Sequence, residues 1–124
     1  AINNLPITVH KDSERSWCWV GDTVRGIRIV IEKGEHLTSI GDYIKGVGIY
    51  NIGRVDNFIS METVAQYACQ IAGADESLIQ MIDAPKNQTK IKRLSNDKIR
   101  SLGWNPMVGL YGGMEMVYEK LKSI

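Results

Sequence analysis

The chain has 124 residues, 44% of them hydrophobic and 23% charged, with a formal net charge of +1. That length supports one modest core, and that composition belongs to a soluble globular chain rather than a disordered one. The near-neutral balance excludes a global field for nucleic acid or an anionic membrane. No apolar run reaches the about 20 residues that span a bilayer. Cys18 and Cys69 each sit among apolar residues, as free buried thiols do, and form neither a disulfide framework nor a C-x-x-C metal pair. The opening Ala1-Ile2-Asn3-Asn4 lacks the basic-then-apolar order of a signal peptide, so a cytoplasmic location is expected. An initial Ala rather than Met fits a processed or partial chain.

In chain order, Leu5 to His10 is short and β-rich, with Pro6 near its start where a strand tolerates it. Lys11 to Ser16 reads as a polar loop, and Trp17 to Val20 as a second short strand. Asp22 is placed to cap a helix that runs to Lys33, carries Val24, Ile27, Val30 and Ile31 on one face, and ends at Gly34. Glu35 to Gly48 is glycine-punctuated loop. Ile49 to Ile52 is an apolar strand closed by Gly53, and 54–59 is a connection. Ser60 caps a helix to Ala72 with Met61, Val64, Ala65, Ala68 and Ile71 as its stripe. Leu78 to Ile82 is a strand, Pro85 to Thr89 a polar turn, and Lys90 to Leu94 a weakly alternating edge strand. Ser95 or Asn96 caps a short helix ending at Gly103, and Asn105-Pro106 breaks the chain. A last helix runs from Leu110 to Lys122 with Met114, Val117, Tyr118 and Leu121 inward. The intermingled elements predict a small α/β fold, a mixed α+β lobe occupying 1–124 as one domain.

The turn that binds dinucleotide phosphates, G-x-x-G-x-x-G after a strand, is absent. Tyr118 and Lys122 match the letters of Tyr-x-x-x-Lys, but they lie on a terminal amphipathic helix with no surrounding fold to hold a cofactor, and are not read as catalytic. Asp12, Glu14 and Asp22 form no acid/base pair. The basic residues gather locally, at Lys86, Lys90, Lys92, Arg93, Lys98 and Arg100.

Five segments, in order, carry a resemblance. Pro6 to Asp12 is similar to a "P-L-T-V-Y-G-D" strand and loop, and Arg15 to Asp22 to "R-D-W-x-Y-V-x-D". Tyr50 to Gly53 matches "Y-N-I-G", Ser60-Met61-Glu62 opens a helix, and Leu102 to Pro106 matches "L-G-W-x-P". Together they resemble the C-terminal substrate-binding part of NAD-dependent epimerases and dehydratases, the extended short-chain dehydrogenase/reductases that remodel nucleotide sugars. Arg15-Ser16, Ile59-Ser60-Met61 and Arg93 to Asp97 echo the GDP-mannose 3,5-epimerase subgroup.

The resemblance implies a lobe that grips a nucleotide-diphosphate sugar but binds no cofactor itself. NAD and the catalytic residues would belong to a Rossmann half not represented in this chain. Arg15 would contact the diphosphate, as a planar guanidinium can through paired hydrogen bonds. His10 stands where the family stacks an aromatic ring on the base. Arg93, helped by Lys90 and Lys92, would be a second phosphate-side arginine. The family's "R-P-G-H-D" has become Ala84 to Gln88, keeping only Pro85. Asn51 and Gly53 read as architectural, His36 as a loop residue, and Trp17, Trp19 and Trp104 as packing. The expected partner is the Rossmann half, in cis or in trans, with a homodimer as the oligomer to test and no nucleic acid or membrane. The alternatives are a stand-alone binding protein derived from such a lobe and one half of a split enzyme.

Overall fold

A computed structural model describes residues 1–56 and 58–124. Strand β1 (Ile7–His10) leads into a two-residue strand, β2 (Glu14–Arg15), and helices α1 (Val20–Lys33) and α2 (Ile40–Ile44) follow. Strand β3 (Ile59–Ser60) runs straight into α3 (Met61–Ala72). A single 3-10 turn (Glu76–Leu78) precedes β4 (Ile79–Ile82), and α4 (Asp97–Arg100) and α5 (Leu110–Lys122) complete the order. The connection expected over 54–59 includes Asn57, which lies outside the described residues.

Strands β1 and β4 pair in parallel, from Ile7 opposite Ile79 to His10 opposite Ile82. Strands β2 and β3 pair antiparallel, Glu14 with Ser60 and Arg15 with Ile59. Helix α3 packs across β1 and β4 and against α5. Its stripe explains this: Ala65 and Cys69 are buried under it, beside Val9 of β1. Ser60 Oγ accepts from Thr63 N at 3.1 Å, and Gly73 ends the helix in the left-handed region at φ 64°, where a side chain would be strained. Tyr67 of α3 meets Tyr111 of α5 edge to face, with ring centroids 5.1 Å apart.

A second packing centre forms around Trp104 and Ile99, both fully buried. The Trp104 indole donates to the Asp22 carbonyl at 2.8 Å. Gly26 of α1 faces this ring. A Cβ there would stand 2.8 Å from Ile52 Cγ2 and 3.1 Å from Trp104 Nε1, so only glycine lets the helix approach this closely.

Several expectations are corrected. Trp17 to Trp19 is extended but pairs with no strand among the described residues, and Val20 already opens α1. Its contacts are side-chain ones, with the Trp19 ring lying against Gly21 and Gly113. Asp22 is not the cap. It sits buried in the first turn, and its Oδ2 accepts from the backbone N–H of Met107 (2.9 Å) and Val108 (3.0 Å). Arg25 pairs with its other oxygen at 3.2 Å. Three of the four stripe residues of α1, Val24, Ile27 and Ile31, are exposed and Val30 is half-buried, because α1 is anchored by Asp22 and Gly26 on its other face.

Ile49 to Ile52 forms no strand. Side chains hold it instead: Tyr50 lies under Lys98 Nζ at 4.6 Å, and Asn51 Nδ2 donates to the Ser95 carbonyl. Gly53 is then a close-approach residue, with Leu94 Cδ2 at 3.1 Å from where a Cβ would be. Lys90 to Leu94 is reduced to one bridge, between Glu14 and Ile91. The expected loop 35–48 contains α2, whose Ser39 cap accepts from Asp42 N. Cys69 is buried, while Cys18 is partly exposed.

Candidate functional site

Where β1 ends, Asp12 adopts φ 56°, a left-handed turn that aspartate tolerates better than most residues. The reversal brings Ser13 under the fold and Arg15 onto β2. Met61 N donates to the Ser13 carbonyl at 2.8 Å and fixes this loop to the start of α3. The result is a pocket of about 440 Å³ whose lining includes His10, Ser13, Arg15, Met61 and Gln88, with α3 as one wall. Gln88 arrives from the turn after β4, which closes through Gln88 N donating to the Pro85 carbonyl at 3.0 Å.

The structure therefore brings His10 and Arg15 together. Arg93 does not line this pocket. Its guanidinium lies 4.7 Å from the centroid of the Phe58 ring, a cation–π contact. Arg15 Nη1 donates to the Glu14 carbonyl at 2.6 Å and the Lys90 carbonyl at 2.9 Å, and Nη2 to the Thr89 carbonyl at 2.7 Å. These bonds stitch β2 to the 89–90 segment and lock the guanidinium in place. A guanidinium has five N–H donors, so the fork retains capacity for an anion.

Two side chains of the pocket escaped the sequence reading. Ser13 is 2% exposed, and its Oγ has no hydrogen-bond partner among the described residues. Gln88 Oε1 is likewise buried and unpartnered among them. The signal for Ser13 was a small polar residue between a strand end and Arg15. Gln88 lies in the 84–88 segment, which departs from the family pattern and so gave no residue-type signal; it is brought to the pocket by the parallel pairing of β1 and β4 and by the bonds that tie 89–91 to β2.

A larger cleft of about 560 Å³ lies between α3, α5 and the first residues, lined by Ile2, Trp17, Trp19, Val117 and Leu121 among others. It gathers apolar side chains and no cationic one, whereas the smaller pocket is lined by Arg15 and His10. Tyr118 and Lys122 lie on α5, where Lys122 Nζ sits 5.1 Å from the Tyr118 ring centroid and pairs with Glu119 at 3.1 Å. That is a solvated helix face. No helix of the described residues is long and apolar enough to cross a membrane.

No protein-family model matches the chain, and no curated protein does. Solved structures do. The chain is similar to a UDP-glucose 4-epimerase of Thermus thermophilus in complex with NAD, at TM-score 0.72 and 22% identity, over 98% of this chain and 37% of that one. It is similar to a dTDP-glucose 4,6-dehydratase of Bacillus anthracis in complex with NAD, at TM-score 0.75 and 20% identity, over the same shares. The fold is thus the small mixed α/β arrangement found in the C-terminal part of epimerase and dehydratase structures. The chain spans 37% of the length of these two.

Among the described residues no glycine-rich turn joins a strand to a helix N-terminus. The first turn of α1 carries a buried carboxylate, Asp22, and α3 is closed by the Ser60 side chain.

Proposed function

We propose that this chain is the nucleotide-sugar-binding portion of an NAD-dependent sugar epimerase or dehydratase, with the NAD site and hydride transfer supplied by a Rossmann half in cis or in trans. The observation that carries the reading is the convergence of His10 and Arg15 on one pocket at the end of β1, in a fold shared with those enzymes. Arg15 would hold the diphosphate, pre-positioned by its carbonyl bonds, and His10 would flank the base. Arg93 would act from outside the pocket, as an electrostatic aid to approach. Substrate grip and closure would be the contribution of this chain, because its carboxylates form no acid/base pair.

The test is calorimetric titration of UDP-glucose, dTDP-glucose and GDP-mannose into the purified chain and into Arg15→Ala. Charge-assisted bonds are worth roughly 1.5–3 kcal/mol, so Arg15→Ala is expected to weaken binding by about tenfold or more. Arg15→Lys should not restore it. Equal affinity in wild type and Arg15→Ala would overturn the assignment.

A second reading is favoured by the three carbonyl contacts of Arg15. In it the arginine is a structural stitch, and the chain is a non-catalytic binding or interaction protein built on the same lobe. Loss of thermal stability in Arg15→Ala without any nucleotide-sugar binding by wild type would support it.

A further inference from the structure

We infer that Ser13 and Gln88 are binding residues of this pocket, and that their unpartnered oxygens take hydrogen bonds from hydroxyl groups of the ligand's sugar. The inference rests on the proposed nucleotide-sugar site and adds to it the residues that recognise the uncharged part.

A buried polar atom without a partner is destabilising. Native structures keep few such atoms, and those they keep call for an explanation. Here two of the three found among the described residues, Ser13 Oγ and Gln88 Oε1, belong to residues that line the same pocket. Arg15, the cationic side chain of the lining, shares that pocket with them. An amide oxygen can only accept, and a serine hydroxyl can accept while it donates elsewhere. The diphosphate of a nucleotide sugar, esterified at both ends, offers no proton to such a pair at neutral pH. Sugar hydroxyls do, and each can also donate to one group and accept from another. The two residues reach the pocket from different segments, Ser13 after β1 and Gln88 after β4. Ser13 is fixed through its carbonyl to Met61 N, and Gln88 through its amide N–H to Pro85. A ligand bridging them would tie the β1 loop to the turn after β4.

The experiment uses the whole chain, with UDP-glucose as the hydroxylated probe and inorganic pyrophosphate as the probe without hydroxyl donors from a sugar. Ser13→Ala and Gln88→Met are each expected to weaken UDP-glucose binding roughly three- to tenfold. Neither should change pyrophosphate binding, which Arg15→Ala should weaken. In the absence of ligand, Ser13→Ala should melt at or above the wild-type temperature, since no protein hydrogen bond is lost. UDP-glucose held equally by wild type and both variants would overturn the inference and leave the proposed site standing. A drop of several degrees in the unliganded Ser13→Ala protein would also overturn it, by showing a structural bond. UDP-glucose ignored by wild type would remove the proposed site and this inference together.

Discussion

Helix α3 turns Ala65 and Cys69 into the protein and packs across β1 and α5, whereas α1 turns Val20, Val24, Ile27 and Ile31 outward. Those four are 64%, 60%, 49% and 69% exposed, although their spacing is that of a buried stripe. What holds α1 instead is a carboxylate, a glycine and a tryptophan on its other face. The difference teaches that periodicity tells which residues share a face and not what lies opposite that face.

The comparison can be broken most severely at Trp104. Trp104→Ala removes a fully buried ring and the indole bond to Asp22, and is expected to cost about 3–5 kcal/mol. Urea unfolding would measure it, and a loss below about 1 kcal/mol would mean that α1 is anchored elsewhere.

A smaller effect is expected from acid. The end of α1 is tied down through Glu35, whose carboxylate bonds Lys98 Nζ (2.7 Å) and Gly48 N (3.1 Å). The Lys98 bond, and then the Gly48 N–H, hold its pKa below the usual carboxylate value. A depressed folded pKa gives stability that is present above the unfolded value, about 4.3, and lost as pH falls through the folded one. Asp42 follows the same sign, held down by Thr38. Hydrogen exchange, corrected for intrinsic rates, should show 35–48 loosening below about pH 4 while α3, held by apolar contacts, keeps its protection. Equal loosening of both would contradict the contrast.

The smallest effect belongs to the outward stripe. Val24→Ser with Ile31→Ser should change monomer stability by no more than about 0.5 kcal/mol per site, as surface substitutions do. Sedimentation velocity on the same variant would tell whether the stripe joins two copies. A large loss of stability without any change in mass would show that the stripe is buried within one chain after all.

Much of this fold was legible where local chemistry decides it. Ser60 caps α3 and Gly34 follows the end of α1 as expected, and α5 spans Leu110–Lys122 as its pattern predicts. The failures are tertiary. Asp22 has the composition of a cap, yet its carboxylate is used by Met107 and Val108, far along the chain. The apolar run 49–52 reads as a strand but found side chains rather than a neighbouring strand to bond. In the pocket, His10 and Arg15 stood out because each lies in a segment that resembles a family motif. Arg93 has the same chemistry as Arg15 but stacks on Phe58, and Gln88 belongs to the site through a pairing that no local pattern encodes.

That pairing also constrains how the molecule can assemble. Strand β1 has its parallel partner in β4, beyond α1, α2 and α3, and Arg15 bonds a carbonyl 75 residues away. Contacts of such separation are entropically costly to close before they return any stability. The helices between can form early, while the sheet and the pocket mouth must form late. Refolding should therefore show helical signal ahead of protection in β1 and β4. A nascent chain interrupted before β4 would carry β1 with its edge open, which makes the same feature that shapes the pocket a point of vulnerability to aggregation during synthesis.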